Sequence, residues 1–378
     1  MQGGEARFVG GAVRNHLMGL TSDDIDMAVN KPIINVVSWL SDAGLAVYET
    51  GIEHGTITVR YHEKSVELTQ TRKDTQTDGR HAEVIAIDDW LEDAKRRDFS
   101  VNALYMDAQG VLFDPLDGAA DIKAGRLTYI GIPDLRIKED YLRILRGFRL
   151  MSEYPELVLT DESIDAAGQQ VEGLSVLSGE RITTEWMRLL AGRGWRRALQ
   201  AAQQAGLDKA LLSTSFPKYI GASLTDDISA LARCAWLLGP GAPLPSWLQL
   251  SRPQINLLTL YTQNLSQADA DALMSEAGWQ QAAYWLGSEA RVRLILYLLW
   301  DRGRSYIQDD ITARLAQLDI FQIPSLPLRG ADLVKSGITP GPKLGKILKA
   351  LEIRWVESEF QLNHSALMAI LVKEYSDA

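Results

Sequence analysis

The sequence predicts an α+β protein in which a small mixed α/β head is followed by a long helical extension. Runs with strand character are confined to the first 118 of the 378 residues. From Glu139 to the end, apolar residues recur at helical spacing, interrupted by glycine- and proline-rich joints at 239–243, 323–327 and 339–342. The length and the ordinary composition, 46% hydrophobic and 23% charged, leave room for about two or three globular domains.

The elements of the head are predicted in chain order. A strand at 6–9 runs into Gly10-Gly11, and residues 12–18 have the apolar spacing of a helix. The remaining strand-type segments, with a hairpin turn at 62–65, are 25–29, 56–61, 66–69, 101–106 and 111–113. We therefore predict a head at 1–118, a helical neck at 119–190, a helical body at 191–310 and a helical tail at 311–378.

Cysteine usage and hydropathy exclude several classes of protein. Cys234 is the only cysteine, so an internal disulfide and a cysteine-rich zinc site are excluded. The first residues lack the pattern of a signal peptide, and the apolar run at 294–300 is far shorter than the ~20 residues of a membrane span. We expect a cytoplasmic protein with no membrane contact and no disulfide-linked partner.

The net charge and its local distribution point in opposite directions. The formal charge of −10, from 39 basic and 49 acidic residues, argues against a polyanionic partner. However, residues 326–354 hold six basic residues and two acidic ones, and Arg193, Arg196 and Arg197 form a second basic cluster. Contacts with phosphates require such clusters, although a solvated helix face explains them equally well.

A glycine pair between the first strand and the first helix is a candidate phosphate site. Glycine lets the backbone approach a ligand closely, and the free N–H groups at a helix N-terminus attract anions. Arg14, in the first turn of the helix, adds a positive charge beside Gly10 and Gly11. A tight turn between strand and helix, with no ligand, is the alternative.

Two carboxylates on the next strand form a candidate metal site. Residues i and i+2 of a strand share a face, so Asp24 and Asp26 lie side by side while Ile25 points to the core. Hard oxygen ligands suit Mg²⁺. Glu67, on a later strand, is a candidate third carboxylate. A solvated acidic turn is the alternative for the pair, and an exposed strand position is the alternative for Glu67.

Two further motifs combine arginines with acidic residues. The segment 96–102 contains Arg97, Asp98 and Asn102, which are suited to phosphates and ribose hydroxyls. On a helix starting near Glu139, Asp140 and Arg143 are three residues apart and share a face, with Arg146 following. Taken alone, the first motif is better explained by a surface salt-bridge cluster, and ordinary helix stabilisation is the alternative for the second.

Taken together and in this order, the motifs resemble those of the class II tRNA nucleotidyltransferases, the bacterial CCA-adding enzymes. The matching segments are GGAVRN at 10–15, DID at 24–26, TRKDTQTDGRHA at 71–82, RRDFS at 96–100, DPLDG at 114–118, EDYLR at 139–143 and SGERITTE at 178–185. Residues 327–348 resemble the tail of these enzymes more loosely. The sequence departs from the family pattern at Asn15, where Asp is usual, and at Ser100, where Thr is usual.

The resemblance implies a polymerase-β-like nucleotidyltransferase head and template-independent addition of CCA to the 3′ end of tRNA. CTP and ATP are the implied substrates of a Mg²⁺-dependent in-line transfer that releases pyrophosphate. Asp24 and Asp26 are then catalytic residues that hold two Mg²⁺ ions, and Glu67 remains a candidate third ligand. The implied nucleotide-binding residues are Gly10, Gly11, Arg14, Arg97, Asp98, Asn102, Asp140, Arg143 and Arg146.

The resemblance also implies how the nucleotides are selected. Cytosine and adenine present an amino donor beside a ring-nitrogen acceptor, whereas uracil and guanine present a carbonyl there. Asp140 would accept from the amino group and Arg143 would donate to the ring nitrogen. The segment 71–82, expected to be a mobile loop, would adjust this pair between C and A; relatives that add only CC lack the loop.

The helical remainder is expected to hold the tRNA acceptor arm. The expected RNA-binding residues, from the two basic clusters, are Arg193, Arg196, Arg197, Lys343, Lys346 and Lys349. A poly(A) polymerase, a split-activity relative that adds only CC or A, and a non-enzymatic RNA-binding homologue are the alternatives.

Overall fold

The structure is a computed structural model that describes residues 4–22, 25–62, 64–77, 82–216, 228–300 and 308–375. Its strands are β1 Ala6–Val9, β2 Ile25–Val29, β3 Ala46–Tyr48, β4 Thr56–Tyr61, β5 Lys64–Gln70, β6 Arg72–Thr77, β7 Ala82–Ala86, β8 Tyr105–Met106, β9 Leu112–Phe113, β10 Arg126–Leu127 and β11 Val158–Leu159.

The helices occupy most of the rest of the described chain. They are α1 Gly11–Leu17, α2 Ile33–Asp42, α3 Trp90–Lys95, α4 Gly118–Lys123, α5 Pro133–Glu139, α6 Leu142–Glu153, α7 Asp161–Gln169, α8 Gly179–Ala191, α9 Trp195–Gln204, α10 Leu207–Leu212, α11 Ala230–Leu238, α12 Arg252–Thr262, α13 Gln267–Met274, α14 Trp279–Leu286, α15 Ala290–Trp300, α16 Gln308–Ile320, α17 Gly330–Lys335, α18 Pro342–Glu357 and α19 His364–Tyr375.

The largest sheet has seven described strands in the order β3-β4-β5-β2-β1-β8-β9. Its neighbouring strands are antiparallel except β2 and β5, which are parallel. The adjacent residues Ala28 and Val29 of β2 belong to two different hydrophobic clusters. Because successive strand residues point to opposite faces, the sheet is buried on both faces here, with α3 on one side and α2 on the other.

Helix α6 organises the helical part that follows the sheet. It packs against α8, where the Ser152 hydroxyl donates to the Leu189 carbonyl at 2.6 Å. Gly147 of α6 lets Phe99 approach closely, because a Cβ atom at this position would lie 3.2 Å from the Phe99 ring. Phe99 and Phe148 are fully buried. The segment that contains Arg97 and Asp98 is thereby fixed against α6.

The described chain divides into two compact units. The first contains the residues before 217, together with Ser229–Cys234 and Leu244–Ser251, and the second contains Ala235–Pro243 and the residues from Arg252 onward. Within the second unit, α17, α18 and α19 share a core that includes Leu333, Leu351, Trp355 and Leu367. The predicted division into head, neck, body and tail stays a prediction.

Three segments differ from the elements expected from the sequence. Residues 100–102 form a 3-10 turn instead of continuing a strand from 101 to 106, because Asn102 and Asp98 form a local side-chain hydrogen bond. The helical prediction after residue 139 is interrupted by β11, which pairs with β10. The predicted loop 71–82 includes β6, which pairs with β7 through backbone bonds that need no apolar side chains. Residues 78–81 lie outside the described residues.

Within the described ranges, no helix has the length and apolar character required to cross a membrane.

Candidate functional site

A cavity of about 780 Å³ in the first unit collects the predicted nucleotide-binding residues. Those that line it are Gly10, Gly11, Arg14, Arg97, Asp98, Asn102, Asp140, Arg143 and Arg146, together with the predicted metal ligand Asp26. Eight arginines and four acidic residues line the cavity in all, so its walls favour an anionic ligand. Segments more than 100 residues apart in sequence thus meet at one site.

The glycine pair forms the turn between β1 and α1. Gly10 has a φ of +67°, in the region that favours glycine, and its N–H donates to the Leu104 carbonyl at 3.1 Å. A Cβ atom at Gly10 would lie 3.7 Å from the Arg97 guanidinium. The turn therefore brings the start of α1 beside the arginine segment with no side chain between them.

Arg14 is buried in the wall of the cavity, with only 6% of its surface exposed. Its guanidinium donates to the side-chain oxygens of Asn102, Asn15 and Tyr154, and it lies 4.1 Å from the centre of the Tyr154 ring. Burial lowers the pKa of Arg14, and the Tyr154 hydroxyl opposes this effect. Asn15, where the family usually has Asp, is a neutral acceptor for this side chain.

Asp26 and Glu67 lie next to each other on the parallel pair β2 and β5. They are register partners, so their side chains leave the same face of the sheet, and both are exposed. Asp24, the other predicted ligand, lies outside the described residues. Among the residues that are described, no group of three His, Cys, Asp or Glu side chains is arranged to hold a metal ion.

The Asp98 carboxylate of the cavity is bonded to three other groups. It pairs with Arg146 at 2.6 Å and accepts from Asn102 at 3.1 Å and from the Phe99 N–H at 2.9 Å. Burial alone would raise the pKa of Asp98, but Arg146 and these hydrogen bonds lower it to about 2. Asp98 therefore stays ionised and fixes the position of Arg146.

Arg97 is fixed by a residue that the sequence did not indicate. Its Nη2 donates to Asp93 at 3.1 Å and its Nε donates to the Tyr105 hydroxyl at 3.1 Å. The Asp93 carboxylate is buried and also pairs with Arg96 at 2.8 Å. Burial opposes ionisation of Asp93, but the guanidiniums of Arg97 and Arg96 lower its pKa.

The prediction that one helix contains both Asp140 and Arg143 is wrong, because Asp140 lies between two helices. Helix α5 ends at Glu139, Asp140 is extended with φ −155° and ψ 105°, and α6 begins at Leu142. The Asp140 carboxylate accepts from the Leu142 N–H at 3.1 Å, a local bond that competes with helix formation. Both predicted residues still line the cavity, although their shared helical face is absent.

Each member of this predicted pair is bonded to another residue. Arg143 donates to Glu139 at 2.5 Å and to the Arg136 carbonyl at 2.5 Å, while Asp140 accepts from Arg181 at 2.7 Å. Glu139 and Arg181 stand in the quoted motifs EDYLR and SGERITTE, but the sequence assigned neither a role. Arg181 and Asp140 are 41 residues apart in the sequence, so local spacing could not indicate their contact. The order of the motifs was the signal that could have pointed to it.

The predicted RNA-binding residues lie outside the lining of this cavity. In the first unit Arg193 is exposed, Arg196 lies 4.9 Å from the Trp195 ring centre, and Arg197 donates to the Pro155 carbonyl at 3.4 Å. In the second unit all three lysines are on α18. Lys343 and Lys346 are exposed, whereas Lys349 pairs with Glu352 at 2.8 Å and lies 3.9 Å from the Trp285 ring centre.

Two family models match the chain in the order in which its units occur. The poly A polymerase head domain matches residues 6–128, which include β1 to β9 and the glycine turn. The tRNA nucleotidyltransferase domain 2 matches residues 255–371, in the second unit.

Similar proteins match over nearly the whole chain. A mitochondrial CCA tRNA nucleotidyltransferase 1 from Danio rerio is 30% identical over 97% of this chain and 87% of its own length. The human protein of the same name is 30% identical over 98% of this chain and 87% of its own length. A CCA-adding enzyme from Listeria monocytogenes is 31% identical over 94% of this chain and 91% of its own length.

Solved structures with the same architecture include two CCA-adding enzymes. The enzyme from Bacillus stearothermophilus in complex with CTP is 27% identical and superposes with a TM-score of 0.67, covering 95% of this chain and 90% of its own. The Thermotoga maritima enzyme complexed with tRNA is 18% identical, with a TM-score of 0.69 over 98% of this chain and 91% of its own, and it supports the fold.

Proposed function

The chain belongs to the tRNA nucleotidyltransferase family of CCA-adding enzymes, and from this premise we propose that it adds C, C and A to the 3′ end of tRNA without a template. The substrates are CTP and ATP, and pyrophosphate leaves after in-line attack by the tRNA 3′-hydroxyl. The observation that carries the proposal is an arginine-rich cavity in which the glycine turn, the Asp26 carboxylate, and Asp140 and Arg143 meet. The cytoplasmic location expected from the sequence stays a prediction.

Asp24 and Asp26 are proposed to hold two Mg²⁺ ions, with Glu67 as a further candidate ligand. The donor set fits this metal, because the exposed carboxylates of Asp26 and Glu67 are register partners and offer hard oxygen ligands. When bound, Mg²⁺ supplies charge neutralisation for the triphosphate and makes the primer hydroxyl more acidic. The role of the protein is to keep the Asp26 carboxylate in the same cavity as the glycine turn.

Triphosphate and ribose binding is proposed for the glycine turn and the arginines around it. Gly10 and Gly11 offer close backbone approach, and Arg14 and Arg97 add fixed positive charges. Neighbouring acceptors hold both guanidiniums: half-buried Asn102 for Arg14 and buried Asp93 for Arg97. Asp98 holds Arg146 in the same way, at 2.6 Å. Phosphates would therefore meet charges that need no reorganisation.

Asp140 and Arg143 are proposed to select the base. An ionised carboxylate only accepts hydrogen bonds and a guanidinium only donates them, which complements the amino group and ring nitrogen of cytosine and adenine. Uracil and guanine would place a carbonyl against the carboxylate and leave both the carboxylate and the guanidinium without a hydrogen-bond partner on the base. Sites of this kind discriminate by ~10⁴ or more.

The two basic clusters are proposed to contact the tRNA. Their members are Arg193, Arg196, Arg197, Lys343, Lys346 and Lys349. Exposed positive charge at Arg193, Lys343 and Lys346 supports contact with a phosphate backbone.

The activity is tested by incubating a tRNA that lacks CCA with Mg²⁺ and the labelled nucleotides, singly and in combination. We expect incorporation of two C and one A, and none into a tRNA that already ends in CCA. A long A tail would instead identify a poly(A) polymerase, and addition of C without A would identify a split-activity enzyme. No incorporation by the folded protein would contradict the proposal.

A further inference from the structure

The backbone alone does not fix the direction of the Asp140 carboxylate. Asp140 lies in the short connection between α5 and α6, in an extended conformation. Two hydrogen bonds hold its side chain: Oδ1 accepts from the Leu142 N–H at 3.1 Å, and Oδ2 accepts from Arg181 Nη2 at 2.7 Å. The first bond is local, so Arg181 is the residue of another element that, within the described chain, donates a hydrogen bond to this carboxylate.

Arg181 reaches Asp140 from a rigid support. It lies in the first turn of α8, next to Ile182, which is 3% exposed. Further along α8, Glu185 pairs with Arg149 of α6 at 2.6 Å, and both of these side chains are buried. The Arg181 backbone is therefore fixed relative to α6. Its guanidinium reaches Asp140 from this fixed position.

The bond from Arg181 leaves Asp140 able to accept from a nucleotide. A carboxylate oxygen can accept about two hydrogen bonds, and among the described residues Oδ2 accepts one, from the Arg181 guanidinium. A carboxylate oxygen accepts from an amino group and has no hydrogen to donate to a carbonyl.

We propose that Arg181 is a specificity-determining positioning residue, which orients the Asp140 carboxylate so that it accepts cytosine or adenine and rejects uracil or guanine. The inference rests on the proposed function of Asp140. Arg181 acts through Asp140: without its hydrogen bond the carboxylate turns away from the base, and a carbonyl is tolerated there.

The test compares kcat/KM for CTP and UTP on a tRNA lacking CCA. For Arg181→Gln we expect the CTP/UTP ratio to fall by about 10-fold or more, because a charged hydrogen bond is lost. Arg181→Lys keeps the charge, and we expect it to restore part of the ratio. Arg126→Gln is the matched control: it removes another Arg–Asp pair, to Asp121 at 2.8 Å, away from the cavity lining, and should leave the ratio unchanged.

A double-mutant cycle separates the inference from the proposed function. In an Asp140→Ala background, Arg181→Gln should have no further effect on the CTP/UTP ratio. If Asp140→Ala lowers the ratio and Arg181→Gln does not, or lowers the use of both nucleotides equally, the positioning role is overturned and base selection by Asp140 stands. If Asp140→Ala leaves the ratio unchanged, base selection by Asp140 fails and this inference fails with it.

Discussion

Basic side chains are organised differently in the two units. In the cavity of the first unit, carboxylates hold the arginines in place, with Asp98 bonded to Arg146 at 2.6 Å and Asp93 to Arg97 at 3.1 Å. On α18 of the second unit, Lys343 and Lys346 are exposed, and neither forms an ion pair with a residue that the structure describes. Recognition of a small nucleotide requires fixed donors, whereas contact with a phosphate backbone requires charge and little geometry.

The largest effect is expected at the carboxylates of the first unit. Asp26→Asn should lower kcat for nucleotide addition by at least ~10³-fold, because it removes a charged ligand proposed to hold Mg²⁺. Asp42→Asn, at an exposed acid near the end of α2, is the control and should retain wild-type turnover. Turnover of Asp26→Asn close to that of the wild type would contradict the metal assignment.

The ion pairs of the cavity should contribute to stability in a pH-dependent way. The folded-state pKa of Asp98 is about 2 against an ordinary value of 3.8, so the stabilisation is fully present above pH 3.8. It amounts to ~2 kcal/mol and is lost as the pH falls towards 2. We expect Asp98→Asn to lower the urea midpoint at pH 7 and to flatten its dependence on pH between 4 and 2.

The control for this measurement is again Asp42→Asn, whose carboxylate is exposed. Its urea midpoint should follow the wild-type pH dependence. The same steep dependence in Asp98→Asn would show that the buried pair with Arg146 does not stabilise the folded protein.

A smaller effect is expected on α18. The double variant Lys343→Gln/Lys346→Gln should raise KM for tRNA by roughly 3- to 10-fold. The slope of log KM for tRNA against log salt concentration should decrease by about one to two, because two phosphate contacts are lost. KM for CTP and kcat should stay unchanged, because the cavity is intact. Lys373→Gln, an exposed lysine on α19, removes the same type of charge from a different helix and should have little effect. Equal effects of the two changes would contradict a specific role for α18.

Local periodicity predicted those parts of the fold that depend on neighbouring residues. The strand-type runs at 25–29 and 56–61 match β2 and β4, whose apolar residues contribute to the hydrophobic clusters of the sheet. The same approach failed at 100–102 and at Asp140, where short polar side chains bond to nearby groups and displace regular structure. The helix or strand propensity of a residue does not take these competing hydrogen bonds into account.

The sequence predicted which residues form the candidate site, but it did not predict which side chains hold them in place. The motif order identified Arg97, Asp98, Asp140 and Arg143, and the structure brings them to one cavity. It did not indicate that Asp93 holds Arg97 or that Arg181 holds Asp140, because these carboxylate and guanidinium partners become neighbours only after the chain folds. Isolated acids and arginines of this kind resemble ordinary surface charges in a sequence.

Selection of nucleotides by the protein is tested most directly by sequencing the 3′ ends of a tRNA that lacks CCA. Wild type and Asp140→Ala are each incubated with Mg²⁺ and all four nucleoside triphosphates at equal concentration. We expect almost every extended wild-type product to end in CCA, and we expect U and G among the residues added by Asp140→Ala. An active Asp140→Ala variant that still produces only CCA ends would contradict selection through this carboxylate.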